Sequence, residues 1–443
     1  MGYVYIKTYG CQMNEYDSEA VAGILHQSGF ELTSDMEKAD LVIINTCYVR
    51  EKVKHKIFSF LGELKKIKKE KPHLILGVGG CLAQKDPHQI QKRAPYVDII
   101  WGTSNLHRLP ELLKFAREGK HPVVKVEQEV LPDELPILRG RKFSAYIPVI
   151  RGCNNFCSYC NVPYVRGREK SRPVESILKE VKRAAGEGCK EVILLGQNVN
   201  SYGKDLPERV DFADLLRKVN EIEGLNRIRF ITSHPKDLSD KLILAIAELD
   251  KVCEHLHLPL QAGSNRILKL MRRGYTREDY LELVRKVRTL VPDISLTTDL
   301  IVGFPGETEE DFQDTLWMVE KVRFDGAFTF EYSPVPGTRA SELENQISDS
   351  VKRRRLRELI EVQQKITEEK NKFWVGRKVE ALVEGEAKKN PGMLEGRTRH
   401  NKIVIFAGDK SLIGKLVQVR VVTSGCWALK GELCAPSIYV RHP

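Results

Sequence analysis

Three cysteines stand in the run Cys153-Asn154-Asn155-Phe156-Cys157-Ser158-Tyr159-Cys160, directly after a stretch that reads as a strand. Three thiolates are one fewer than a closed tetrahedral metal site needs, so an iron held here keeps an open coordination position for a substrate or cofactor. The spacing leaves two other readings: a zinc knuckle completed by a distant fourth ligand, and three reduced structural thiols. Zinc sites generally pair their cysteines two by two, which weighs against the first. A second set, Cys11, Cys47 and Cys81, is scattered in sequence, yet each member follows a predicted strand. In a doubly wound sheet the C-terminal ends of parallel strands share one edge, where ligands sit. Gly10 and Gly80, each just before a cysteine, let the backbone turn tightly around a bulky group. On topology alone, a ligand site and three core-filling thiols are equally good readings.

The elements that would position these residues follow from hydrophobic periodicity. Strands are expected at Val4 to Thr8, Leu41 to Asn45, Leu74 to Val78 and Val97 to Trp101, with helical stretches between them, which predicts an N-terminal doubly wound parallel α/β domain over residues 1–117. Residues 118–141 carry three prolines and little periodicity and read as a linker with one strand near Val123 to Val126. A second βα series begins at Ala145 to Ile150. It continues through Glu191 to Leu195, Arg227 to Ile231, His255 to Pro259, Ile294 to Val302 and Ala327 to Tyr332. Six such units over residues 142–374 predict a partial (β/α)6 TIM barrel whose chemistry lies at the C-terminal strand ends. A long helix is expected over Val351 to Phe373. Beyond it, residues 375–443 switch to short β-type runs (Lys378 to Val383, Ile403 to Phe406, Leu416 to Thr423), predicting a small antiparallel β-barrel.

Composition narrows the setting. The chain has 443 residues, 42% hydrophobic and 30% charged, as in a globular protein of several domains. No signal peptide and no bilayer-length apolar run is apparent, so a cytoplasmic location without membrane contact is expected. Ten cysteines in a reducing compartment are ligands or free thiols rather than a disulfide framework. The formal charge of +11 favours a polyanionic partner, of which nucleic acid is the natural candidate. Cys189, Cys253, Cys426 and Cys434 fit no ligand pattern and read as structural thiols.

The Cys153, Cys157, Cys160 loop resembles that of the radical S-adenosylmethionine (SAM) superfamily. The resemblance implies a 4Fe-4S cluster whose open iron chelates SAM, cleaved by one electron to a 5′-deoxyadenosyl radical. It places Tyr159 beside the SAM adenine, and Gln197, Asn198, Ser233, His234, Asp299 and Gly303 at strand ends around the cofactor. The segments Thr8-Tyr9-Gly10-Cys11-Gln12-Met13-Asn14, Asn45-Thr46-Cys47 and Gly79-Gly80-Cys81-Leu82-Ala83-Gln84 are similar to the N-terminal domain of the methylthiotransferases, a branch of that superfamily. There the three cysteines hold a second 4Fe-4S cluster, also with an open iron. SAM would then serve twice, methylating a cluster-borne sulfur and supplying the radical, which requires the two cysteine faces to lie close together.

The opening Tyr-Gly-Cys-Gln-Met-Asn-Glu-Tyr-Asp-Ser, the Ser233-His234-Pro235 run and Gly396 to Phe406 resemble the branch that adds a methylthio group to carbon 2 of N6-isopentenyladenosine at position 37 of tRNA. Sibling branches act on threonylcarbamoyladenosine in tRNA or on an aspartate of a small-subunit ribosomal protein. From a different class, a non-catalytic RNA-binding metalloprotein is the competing reading. The C-terminal segment resembles a TRAM domain, with twelve Lys and Arg against six Asp and Glu between Gly376 and Pro443. The expectation is that Arg397, Arg399, Asn401 and Lys402 hold the phosphates of an anticodon stem-loop. An electron donor and a sulfur donor are further partners, and the chain is expected to act as a monomer.

Overall fold

The computed structural model describes residues 2–48 and 51–434. Its N-terminal sheet has six parallel strands: β1 (Gly2–Thr8), β2 (Phe30–Leu32), β3 (Leu41–Thr46), β4 (Ile75–Gly80), β5 (Ile99–Trp101) and β6 (Val123–Lys125). Their order is β2-β1-β3-β4-β5-β6, so the winding reverses between β1 and β3. That reversal opens a crevice at the strand ends, the usual ligand position in such sheets. Every residue of β3 is buried, as a near-continuous apolar strand covered on both faces must be. Val42, Ile44, Leu76 and Val78 pack under the helix Glu51–Glu70. Val4, Leu41, Ile43 and Ile99 pack under the helices Gln12–Gln27 and Leu109–Arg117.

The segment expected as a linker is ordered and structural. Its strand β6 completes the N-terminal sheet, Leu135 is buried in the N-terminal core, and the Asp133 carbonyl accepts from Arg172 Nη2 at 2.8 Å.

The central domain contains β7 (Ser144–Pro148), β8 (Ile150–Arg151), β9 (Lys170–Ser171), β10 (Glu191–Leu195), β11 (Arg227–Ile231), β12 (His255–His257), β13 (Ser295–Val302) and β14 (Gly326–Glu331). Parallel sheets β11-β10-β7 and β12-β13-β14 are joined by a bridge between Ile228 and Val252 and by a Ser233 N–H donating to the His257 carbonyl at 3.3 Å. The six long-barrel strands thus form an arc, and among the described residues β14 does not pair with β7. Strand alternation sorts the side chains. Val192, Leu194, Ile228, Phe230, Leu256, Leu296 and Leu300 join the outer helices in the largest core. The alternate positions, including Glu191, Arg229, His255, His257, Thr297 and Asp299, face the lumen. The short strands β8 and β9 pair as an antiparallel ribbon at the foot of the cysteine loop.

The helix Asp349–Lys372 buries Leu359 and Ile366 in that core and leads to β15 (Lys378–Glu386), β16 (Met393–Thr398), β17 (Ile403–Ala407), β18 (Leu416–Ser424) and β19 (Leu429–Leu433). These close as β15-β16-β17-β19-β18, with every pairing antiparallel except β17 with β19. Among the described residues no helix is long and apolar enough to cross a membrane.

Candidate active site

The first cysteine loop leaves the β8–β9 ribbon through Gly152. At φ +77° a Cβ there would stand 2.1 Å from the Arg168 carbonyl oxygen, so only glycine fits. The Gly152 N–H donates to Gln197 Oε1 at 2.7 Å, which fixes the loop's entry. Donors then converge on sulfur: Asn155 N on Cys153 Sγ and Val162 N on Cys160 Sγ, both at 3.5 Å, and the buried Arg273 Nη1 on Cys157 Sγ at 3.4 Å. Burial, reinforced by repulsion from Cys157, pushes the Cys160 thiol up to about 12, and burial also raises Cys153. Thiols this reluctant to ionise in their own right lose their protons to a bound cation. Donors aimed at sulfur suit thiolates of an anionic cluster.

Cys11, Cys47 and Cys81 follow β1, β3 and β4, the central strands of the N-terminal sheet. Cys11 caps the start of the helix Gln12–Gln27, the positive end of its dipole. Asn14 and Asn45 lock the first two loops together. Asn14 Nδ2 donates to Asn45 Oδ1 at 3.2 Å and to the Thr46 carbonyl at 3.1 Å, while Asn45 Nδ2 returns to the Asn14 carbonyl at 2.8 Å. Gly80 has φ +93°, and a Cβ would stand 2.4 Å from Asn45 Oδ1, so the third loop also closes only with glycine. Burial raises Cys81 to about 12. The Arg166 guanidinium opposes this, and repulsion from Cys47 and Cys11 adds to it, so the three thiols and one arginine lie within electrostatic reach of one another. Among the described residues no three His, Cys, Asp or Glu side chains converge tightly enough for a single metal ion. A four-iron cluster makes no such demand, because each thiolate binds its own iron.

The two faces are fastened together. Asp17, 4% exposed on the helix that starts after Cys11, accepts from Arg151 Nη1 and from Arg166 Nη2, each at 3.0 Å. Arg151 lies just before the first cysteine loop and Arg166 just after it, so one N-terminal carboxylate grips both ends of the radical loop. Val165 is buried in the N-terminal core, and its carbonyl accepts from Thr103 Oγ1 at 2.6 Å. Met13 and Tyr16 pack on Leu195, covering the lumen from the β7–β10 side.

Around the C-terminal ends of β10 and β11, buried polar atoms lack partners: Asn198 Oδ1, Asn200 Oδ1, Thr232 Oγ1, Ser233 Oγ and His234 Nε2. Buried groups are rarely left so, and a concentration of them marks a polar ligand's place. His234 Nδ1 accepts from Lys236 N at 3.3 Å, so Nε2 carries the hydrogen and faces the gap as a donor. Burial first, then the charge of Arg273, lowers His234 to about 2, keeping it neutral. Tyr159 packs with Phe304, Tyr332 and Met271 beside the loop. These residues fit SAM. Gln197 instead buttresses Gly152, Gly303 turns at φ +70° with its N–H on Glu307 Oε2 at 2.6 Å, and Asp299 pairs with His257 Nε2 at 3.4 Å within the lumen.

The four residues expected to hold RNA are each engaged by another residue of the protein. The turn between β16 and β17 plugs the N-terminal end of the central barrel. Arg399 forks onto Glu254 at 2.7 and 2.8 Å, Lys402 pairs with Asp325 at 3.1 Å, and Asn401 Nδ2 meets His255 Nε2 at 3.4 Å. Arg397 pairs with Glu384 at 2.8 Å and its carbonyl accepts from Arg227 at 2.7 Å. The carbonyls of Thr398 and Arg399 accept from Arg229, itself paired with buried Glu191 at 2.7 Å. The acids at the barrel floor, Glu254 and Asp325, which no sequence motif advertises, meet basic residues of this turn. Sequence reading likewise missed Asp17, Arg151, Arg166 and Arg273, whose roles arise only from contacts distant in the chain.

Comparison with known proteins agrees with this architecture. Residues 147–318 match the Radical SAM superfamily, residues 3–102 match the uncharacterized protein family UPF0004, and residues 372–434 match the TRAM domain. The radical SAM methyltransferase TsrM from Kitasatospora setae, solved with cobalamin and a [4Fe-4S] cluster, shares the fold at a TM-score of 0.57 and 17% identity over 77% of each chain. The chain is 52% identical to the tRNA-2-methylthio-N(6)-dimethylallyladenosine synthase of Thermoanaerobacter pseudethanolicus, over 97% of this chain and 92% of the relative. It is 52% identical to that of Moorella thermoacetica and 51% to that of Clostridium perfringens, each over 97% of both chains. Identity of this extent, spanning all three domains, makes the chain a member of the tRNA-2-methylthio-N(6)-dimethylallyladenosine synthase family of radical SAM enzymes.

Proposed function

We propose that this chain adds a methylthio group to carbon 2 of N6-isopentenyladenosine at position 37 of tRNA. The observation that carries the reading is the clasp of Asp17 on Arg151 and Arg166, which ties both flanks of the Cys153–Cys160 loop to the helix that begins after Cys11. Cys153, Cys157 and Cys160 would hold one 4Fe-4S cluster, and Cys11, Cys47 and Cys81 a second. When bound, the clusters and SAM supply a hydrogen-abstracting radical and a transferable methylated sulfur; the protein's share is placement and exclusion of water. Arg273 and the loop N–H groups orient the thiolates. Asn198, Ser233 and the His234 Nε2–H offer hydrogen bonds to SAM beside Tyr159. Met13 and Tyr16 keep water from the lumen wall that faces the N-terminal domain.

The substrate is an anticodon stem-loop, reached without any membrane and in the cytoplasm, with separate electron and sulfur donors. The test is anaerobic reconstitution followed by mass spectrometry of tRNA nucleosides and of ribosomal proteins in parallel. The reading predicts about eight irons per chain and a methylthio gain on isopentenyladenosine alone. A gain on threonylcarbamoyladenosine or on a ribosomal protein, or fewer than about eight irons with no product, would contradict it.

A further inference from the structure

Phe328 is 61% exposed although it stands on the inner face of the barrel. Its place on β14 is directly across from Asp299 in parallel register, and paired residues of parallel strands share a face. Its ring lies 5.9 Å from the His257 imidazole at 75°, and His257 holds Thr297 Oγ1 through Nδ1 at 3.0 Å and Asp299 through Nε2. All four side chains therefore look into the lumen. The lumen is closed below by the Thr398–Lys402 turn and walled on the β7–β10 side by Met13 and Tyr16 of the helix that begins at Cys11. The arc is open beside β14, so Phe328 stands at the door, across from the wall formed by the helix that begins after Cys11.

A large aromatic ring left bare in a concave polar site is a platform for a flat ligand. Nucleobases splayed from single-stranded RNA stack on such rings. We propose that Phe328 stacks the flipped-out target base and that the Asp299 carboxylate, steadied by His257, accepts its N6–H. This rests on the proposed tRNA-adenosine reading and names where the base goes. An N6-alkylated adenine keeps one N6–H, matched to a carboxylate acceptor that is 28% exposed toward the lumen. Its N6 and C2 substituents leave the ring in different directions, so N6 held at Asp299, midway along β13, leaves C2 free to point toward the C-terminal strand ends. The assignment places Asp299 on the substrate side rather than among the SAM contacts.

The test uses the reconstituted holoenzyme and RNA hairpins of the anticodon arm carrying isopentenyladenosine, or an abasic site, at the target position. Binding is read by fluorescence anisotropy, with iron content and SAM affinity measured for each variant. Phe328→Ala weakens binding of the isopentenyladenosine hairpin roughly 5- to 150-fold, the range for loss of one base stack, and leaves the abasic hairpin unchanged. Phe328→Trp restores the affinity, and Asp299→Asn weakens the modified hairpin without altering SAM binding. Equal losses on both hairpins, or no loss on either, would overturn the inference. A wild-type enzyme that binds both hairpins equally would instead sink the tRNA-adenosine reading itself.

Discussion

Asp17 divides its two oxygens between Arg151 and Arg166, and with both guanidinium groups largely buried it has no solvent to share the load. Removing one member of such a cluster leaves uncompensated charge in a low-dielectric site, which costs about 3–5 kcal/mol. Asp17→Asn keeps the shape and removes the charge. It is expected to lower unfolding free energy by that order in chemical denaturation at matched iron content; a change within experimental error would mean that the clasp does not hold the domains. Sequence reading reached the six cysteines because their spacing and strand-end positions are local signals. It could not reach Asp17 or Arg273, since an Asp in a helix and an Arg in a turn carry no local mark of their partners.

At the scale of elements, the parallel strands were legible because β3, β4, β10 and β13 are dense in Val, Ile and Leu between turn residues. Strands β16 and β19 were not expected: Gly396 and Gly431 interrupt them, and the charged Glu395, Arg397, Lys430 and Glu432 occupy most of their less buried positions. Only closure of the barrel gives those short runs partners. The two loop glycines connect element geometry to metal loading. Gly80→Ala would drive Cβ into Asn45 and the Thr46 carbonyl, and Gly152→Ala into the Arg168 carbonyl, each at a positive φ that alanine resists. Each substitution is expected to cut the iron content from about eight to about four per chain, leaving the other cysteine set loaded. Iron and sulfide analysis with the spectrum of the surviving cluster checks this; loss of both sets, or of neither, would separate the glycines from the loops they shape.

Across the whole molecule, the C-terminal barrel is a floor for the radical domain as well as a basic module. Arg399→Ala removes a forked pair to Glu254 and a bond to the Val252 carbonyl, and is expected to cost about 1.5–3 kcal/mol of stability while leaving hairpin affinity unchanged. A melt and a binding isotherm decide it, and weakened RNA binding at full stability would restore the phosphate-contact role. The charge balance of this domain pointed toward RNA, but composition cannot say which basic residues point outward and which meet the acids of a neighbouring domain. The proposed function makes one chemical commitment: a hydrogen atom is removed from adenine carbon 2. The direct measurement is single turnover of the reconstituted enzyme with SAM and a hairpin deuterated at that carbon. The account predicts deuterium in 5′-deoxyadenosine and a methylthio group on the same base; undeuterated 5′-deoxyadenosine accompanying methylthiolated product would contradict it.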